Sequence, residues 1–293
     1  MTVINSKVSF ASKVIKSMLK RRYRVSKKTF MYAQLKNRQK ADYLPDKGYD
    51  VLEIGNIIVY SRIKEHSKNH IVYLHGGAYI LKGNKLHFSC IEEISDICDC
   101  TVHYIDYLIA PAHFAEEVVK TTLLSVVELM KMYTDHSFYI AGDSAGAGLA
   151  LGVSKELGSF YKENEFKGHF LLSPWVDLSM TNKEIEEIEP HDVFFKRDEL
   201  LLCAKEYAGD DLKHPLWSPL YADNSMLKDI IIYTGTNDLL YPDIVLFEQK
   251  NSVNTTVYVY NELTHVFALF PKTKERASFI NTINETINYK SEN

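Results

Sequence analysis

Five residues, Gly142-Asp143-Ser144-Ala145-Gly146, constrain this chain more than any other stretch. The apolar run Phe138-Tyr139-Ile140-Ala141 leads straight into them, and the helix-compatible run Ala147 to Val153 follows. Strand, sharp glycine turn and helix form the context in which a G-x-S-x-G pattern carries chemistry. The serine at the apex is held in a strained backbone conformation, and a side chain at either flanking position would crowd the turn, so Gly142 and Gly146 are the residues that fit. The Ser144 hydroxyl is thereby presented above the end of a sheet.

A nucleophile of this kind needs an oxyanion site, a base and an orienting acid, and each has a candidate at the end of a strand-like run. Ile71 to Leu74 ends in His75-Gly76-Gly77-Ala78-Tyr79, where two glycines free the backbone to turn its N–H groups, with that of Ala145, toward one point. His75 in this loop reads as a brace of the turn rather than a base. Ile230 to Tyr233 leads to Asp238, and Thr256 to Tyr260 leads to His265. A neutral His265 would take the Ser144 proton while Asp238 fixes its tautomer. Asp177 and Asp243 are rival acids. Asp177 begins an insertion and Asp243 lies after Pro242 inside the next helix, whereas Asp238 follows its strand directly.

Around these residues stand Asp106-Tyr107 with Ala110-Pro111 and His113, Ser173-Pro174-Trp175-Val176-Asp177-Leu178, Ser218-Pro219-Leu220-Tyr221-Ala222-Asp223, Gly235 to Leu239, and His265-Val266-Phe267. Together with the His-Gly-Gly block, the elbow and the order Ser144, Asp238, His265, they make residues 70 to 271 similar to the hormone-sensitive-lipase-like group of α/β-hydrolase esterases. The resemblance implies an α/β-hydrolase fold, a mostly parallel eight-stranded sheet with helices on both faces and a helical cap. It implies Ser144, Asp238 and His265 as catalytic residues, with Gly77 and Ala78 as oxyanion donors beside Ala145 and Gly76 supporting the turn. It also implies hydrolysis of carboxylic esters through an acyl-enzyme, and a small capped pocket filled by aromatic side chains is expected to favour short- to medium-chain acyl groups. Three positions depart from the group's pattern. Ala78 stands where a third glycine is usual, Leu108 where an arginine is usual and Ala112 where a glutamate is usual, so a helper ion pair is missing there.

Two other readings share these residues. An amidase or peptidase would use the same three groups but needs a pocket that holds an amine for protonation by His265. A catalytically silent relative binding a small apolar ligand would not need Ser144, Asp238 and His265 together.

At 293 residues and 46 % apolar content the chain can bury one large core, and no run of eighteen apolar residues or signal-peptide core stands out. The expectation is a cytoplasmic protein without stable membrane insertion. Cys90, Cys98, Cys100 and Cys203 form no C-x-x-C pair and read as reduced core residues. His66 and His70 share an H-x-x-x-H spacing, but the loop-like residues between them argue against a metal site. With no phosphate loop, dinucleotide fingerprint or zinc spacing, no cofactor and no metal are expected. The partner expected is a small-molecule ester, and the resemblance allows a homodimer through edge strands or helices.

Charge is lopsided. Residues 1–40 carry twelve of the 34 Lys and Arg and none of the 38 acids. Nucleic acid or anionic lipid could meet such a head. Val14, Ile15, Met18 and Leu19, and then Phe30, Met31 and Leu35, recur at helical spacing, so we read residues 1–47 instead as two helices capping an acidic body, with no nucleic-acid partner. Residues 48–293 form the catalytic domain. Strands are expected near 51–63, 71–75, 101–106, 137–141, 168–173, 229–234 and 255–260. Helices are expected near 86–97, 115–132, 145–158, 241–251 and 272–289. A cap insertion at 178–215 interrupts the alternation. Tyr79, Trp175 and Phe194 are the candidate substrate-binding side chains.

Overall fold

The computed structural model describes residues 2–4, 8–25, 45, 48–161 and 165–292. Among these, nine strands form one sheet: β1 (Thr2–Ile4), β2 (Asp50–Ile54), β3 (Ile57–Arg62), β4 (Asn69–Leu74), β5 (Thr101–Asp106), β6 (Ser137–Asp143), β7 (His169–Leu172), β8 (Ile230–Gly235) and β9 (Thr255–Tyr260). Their spatial order is β1-β9-β8-β7-β6-β4-β5-β3-β2. The β2–β3 and β3–β5 pairs are antiparallel, and all the other pairs are parallel.

The helices are α1 (Phe10–Val25), α2 (Lys85–Cys98), α3 (Ala115–Met132), α4 (Ser144–Phe160), α5 (Ile185–Ile188), α6 (Arg197–Ala208), α7 (Tyr241–Lys250) and α8 (Lys274–Glu292). Successive strand residues point to opposite faces, and both faces are covered. Val72 and Leu74 of β4 join a core with Val118 and Val126 of α3, Leu149 and Val153 of α4 and Phe247 of α7. Ile71 and Tyr73 join a second core with Phe88 and Ile91 of α2 and Phe279 and Ile283 of α8. Burial on both faces explains why the central strands read as unbroken apolar runs.

The expected segment 51–63 is a hairpin, β2 and β3, turning at Gly55-Asn56, with Gly55 in the left-handed region at φ 62°. The strand count corrects the expected eight to nine. The added strand, β1, pairs with β9 at the sheet edge and is three residues long, with Val3 45 % exposed, so it carries no alternating apolar pattern.

One of the two expected N-terminal helices is α1, while the stretch with Phe30, Met31 and Leu35 lies outside the described residues. Just before and within α1, the Ser9 N–H and hydroxyl and the Ser12 hydroxyl donate to Glu275 of α8 at 2.8, 2.8 and 2.9 Å. Lys16 Nζ donates to the Glu262 carbonyl at 2.9 Å. The helix is thus tied to α8 and to the loop that follows β9. Between β7 and β8 the chain leaves the sheet and forms α5 and α6 before returning.

Candidate active site

Strand β6 runs directly into α4, and Ser144 at the junction has φ 53°. The two glycines are required by close backbone approach. A Cβ on Gly146 would lie 2.1 Å from the Leu74 carbonyl oxygen and 2.4 Å from that of His75, and one on Gly142 would lie 2.8 Å from the Leu74 oxygen. The elbow is therefore pressed against the end of β4, and Ser144 is left 6 % exposed.

His265, in the loop after β9, places Nε2 2.9 Å from Ser144 Oγ. Its Nδ1 faces both Asp238 oxygens, at 3.0 and 3.1 Å. Asp238, in the loop after β8, also accepts the Leu240 N–H at 3.0 Å. Burial alone would push the imidazole pKa down. The Asp238 charge and hydrogen bond, with Asp192 and Asp143 adding to them, outweigh burial and hold His265 above the ordinary histidine value. The arrangement joins a hydroxyl, a basic imidazole and a buried carboxylate in one line. The rival acids lie elsewhere: Asp177 accepts from Ser179 and from the Tyr221 hydroxyl, and Asp243 is buried in the first turn of α7.

The glycine loop after β4 is gripped by Asp143, the elbow residue that precedes Ser144. Asp143 Oδ1 accepts the Tyr73 hydroxyl at 2.9 Å and the Gly76 N–H at 3.0 Å, and its Oδ2 lies 3.4 Å from His87 Nε2. Burial works to raise the Asp143 carboxyl, but His87, Tyr73 and Gly76 outweigh it and hold the pKa below the ordinary value. A Cβ on Gly76 would lie 2.2 Å from Asp143 Oδ2, so the grip requires glycine there. Gly77, Ala78 and Tyr79 follow with φ 129°, 51° and 62°, and the Gly77 carbonyl accepts from Ile80 and Leu81 at 3.0 Å each. Ala145 lies in the first turn of α4, where N–H groups have no helical acceptor.

His75 is fully buried, stacked on Tyr107 with centroids 4.2 Å apart, and its Nδ1–H donates to the Gly76 carbonyl at 2.7 Å. Burial, with His87 close by, lowers its pKa to about 3, so it stays neutral. In the stretch where the helper ion pair is missing, a different one stands: Lys82 Nζ lies 3.0 Å from Asp106 Oδ1 and donates to the Tyr107 carbonyl at 2.8 Å.

Of the three candidate substrate-binding side chains, Phe194 comes beside His265, with ring centroids 5.9 Å apart, and Phe195 stands 5.2 Å away. Tyr79 and Trp175 are instead fully buried and stacked at 5.9 Å, with Tyr207 of α6 on the other ring contact of Tyr79 at 3.8 Å. A Cβ on Gly148 of α4 would touch the Tyr79 hydroxyl at 2.9 Å, so this column packs on the helix behind Ser144. His70 belongs to a different cluster, at the opposite end of the sheet. Its two ring nitrogens are bonded to His103 at 2.8 Å and to His136 at 2.6 Å. Among the described residues no group of three or more His, Cys, Asp or Glu is placed to hold a metal ion, and no helix is long and apolar enough to cross a membrane.

Sequence reasoning missed Asp192 and Phe195, both in the insertion. Asp192 Oδ1 accepts the N–H groups of Phe194 and Phe195 at 2.6 and 3.1 Å, and its Oδ2 accepts that of Leu239 at 2.7 Å. Backbone partners leave no residue-type signal by which a single sequence could reveal them.

Residues 71–269 match the family described as the alpha/beta hydrolase fold. The chain is 28 % identical to an esterase of Acinetobacter venetianus over 70 % of this chain and 71 % of that protein. It is 26 % identical to an acetyl-hydrolase of Streptomyces hygroscopicus over 74 % of this chain and 75 % of that one. Among solved structures, a hormone-sensitive lipase from a metagenome library shares the fold with a TM-score of 0.82 at 22 % identity, covering 97 % of this chain and 99 % of that chain.

Proposed function

The chain belongs to the alpha/beta hydrolase fold family, and from that premise we propose that it is a serine carboxylic-ester hydrolase whose catalytic residues are Ser144, His265 and Asp238. The observation that carries the reading is the continuous line from Ser144 Oγ to His265 Nε2 at 2.9 Å and from His265 Nδ1 to Asp238 at 3.0 Å. Relatives named esterase and acetyl-hydrolase support ester chemistry.

In the reaction, Ser144 Oγ attacks the ester carbonyl carbon while His265 Nε2 takes its proton. The N–H groups of Gly77, Ala78 and Ala145 receive the negative charge that develops on the carbonyl oxygen, and Gly76, tied to Asp143, fixes the loop. The imidazolium, steadied by Asp238, gives its proton to the departing alkoxide, which leaves as the alcohol. Water then enters, His265 takes its proton, and the hydroxide attacks the acyl-serine. The acid leaves, and the proton returns to Ser144 Oγ.

Phe194, with Phe195, forms the wall beside His265, and the Tyr79–Trp175 column backs the site. In this reading residues 178–215 are the cap over the body and α1 belongs to a second covering segment, held through Ser9, Ser12 and Lys16. A closed aromatic site suits acyl chains of two to about eight carbons, because each buried CH₂ adds only ~0.8 kcal/mol and a capped pocket runs out of room. The partner is a small-molecule ester; nucleic acid and membrane insertion have no part. Four buried cysteines without disulfides suit a cytoplasmic location. A homodimer joined at the sheet edge would use the outer side of β1 or of β2, since β9 is already paired with β1.

The experiment is a hydrolysis screen of p-nitrophenyl esters from acetate to palmitate with matching anilides. Turnover of the short esters, well above that of the anilides, is expected. Absence of ester turnover would reject the proposal.

A further inference from the structure

Asp192 is a buried carboxylate that the proposed chemistry leaves without a role. It lies between α5 and α6, is 5 % exposed, and accepts three backbone N–H groups from two directions. Two of them, at Phe194 and Phe195, belong to the rings that stand 5.9 and 5.2 Å from His265. The third, at Leu239, belongs to the residue that directly follows Asp238. Three donors divided between two oxygens suit a carboxylate; a carboxamide in its place offers one acceptor oxygen and turns two N–H donors toward one of the amides.

The arrangement carries an electrostatic cost. Burial and the nearby Asp238 charge push the Asp192 carboxyl up to about 6, against the opposing pull of His265 and of the amides of Phe194 and Leu239. A like charge next to a buried carboxylate is unfavourable, and a neutral side chain with fewer bonds would avoid it. The charged groups that face His265 are Asp238, Asp192 and Asp143, and those that face Asp192 are Asp238 and His265.

We propose that Asp192 is a positioning residue, which locks the Asp238 loop and the Phe194–Phe195 wall into one unit so that the acid and the acyl-facing aromatics take their places around His265 together. This inference rests on the proposed ester hydrolysis and extends it from the body of the protein into the insertion. Its charge has a second effect. An ionised Asp192 favours the imidazolium form of His265, so removing it should lower the pH at which His265 loses its proton.

The test compares Asp192→Asn, Asp192→Glu and Ser144→Ala with the wild type on p-nitrophenyl butyrate, using full-length protein. Asp192→Asn should lower kcat by about 10- to 100-fold, the scale of a small misplacement of reacting groups. The acid limb of its kcat/KM profile should move to lower pH. Asp192→Glu keeps the charge but not the reach, so its acid limb should stay near that of the wild type while kcat remains depressed. A merely structural residue would lower the fraction of active protein and leave both the limb and the kcat of the folded fraction in place. If Asp192→Asn does not fold, the Glu variant decides, and a Glu variant with wild-type kcat overturns the proposal. It is equally overturned by a folded Asn variant with kcat within about twofold of wild type and an unmoved limb. If instead the wild type hydrolyses no ester, or Ser144→Ala retains turnover, the reading of the site itself has failed.

Discussion

Both carboxylate oxygens of Asp238 lie within hydrogen-bond reach of a single nitrogen, His265 Nδ1, at 3.0 and 3.1 Å. With its proton directed at Asp238, Nδ1 leaves the lone pair on Nε2, which faces Ser144 Oγ at 2.9 Å. The acid therefore sets both the tautomer and the basicity of the imidazole, and the Coulomb attraction is strong because both groups are buried.

Replacing Asp238 by Asn should lower kcat by roughly two to four decades, because the amide favours the wrong tautomer and cannot stabilise the imidazolium. The sign of the pH effect follows from the causes of the shift. The Asp238 charge holds His265 above the ordinary value of 6.5, so the wild-type kcat/KM should fall as pH drops through a point above 6.5. In Asp238→Asn burial is left to dominate, and the residual activity should persist to lower pH. Asp177→Asn and Asp243→Asn should be far milder. PH–rate profiles of the four proteins check this, and an intact Asp238→Asn beside an inactive Asp243→Asn would move the acid to α7.

Two glycines of α4 make opposite forecasts. Gly146→Ala would drive a methyl into the Leu74 and His75 carbonyl oxygens, both backbone atoms that cannot swing aside. It should cost about 3 kcal/mol and abolish turnover. A Cβ on Gly158 meets nothing within 4 Å, so Gly158→Ala should raise stability by ~0.5–1 kcal/mol with kcat unchanged. Urea unfolding of both variants measures the difference, and a Gly146→Ala protein as stable as wild type would show that the elbow is not pressed against β4.

The central strands, the elbow and the order of Ser144, Asp238 and His265 were legible because each leaves a local mark. Parallel strands buried on both faces are continuous apolar runs, and a crowded turn excludes every side chain but glycine's hydrogen. Strand β1 was not legible, since Thr2, Val3 and Ile4 are too few for a period and Val3 is half exposed. Asp192 was not legible because its partners are amides, which every residue but proline carries, and because Leu239 comes near it only after the insertion folds back. Tyr79 and Trp175, expected as substrate-binding side chains, are instead fully buried. Their stacking behind α4 depends on Gly148 and Tyr207, which no spacing rule connects to them.

Deleting residues 1–40 removes the Ser9 and Ser12 bonds to Glu275, the Lys16 bond to Glu262 and the strand that covers β9. The truncated protein should melt at a lower temperature and should shift its acyl-chain preference or KM more than its pH profile. Unchanged chain-length selectivity, together with loss of salt-sensitive liposome or nucleic-acid binding, would instead make the basic head a binding arm.

The central claim, that Ser144 is the nucleophile of an acyl-enzyme ester hydrolase, is tested most directly by the kcat of Ser144→Ala on p-nitrophenyl butyrate, with circular dichroism as the check of fold. The account predicts a folded protein whose turnover is lower by several decades, the scale seen when a member of such a triad is removed. A folded Ser144→Ala protein that kept more than about a tenth of the wild-type kcat would contradict it.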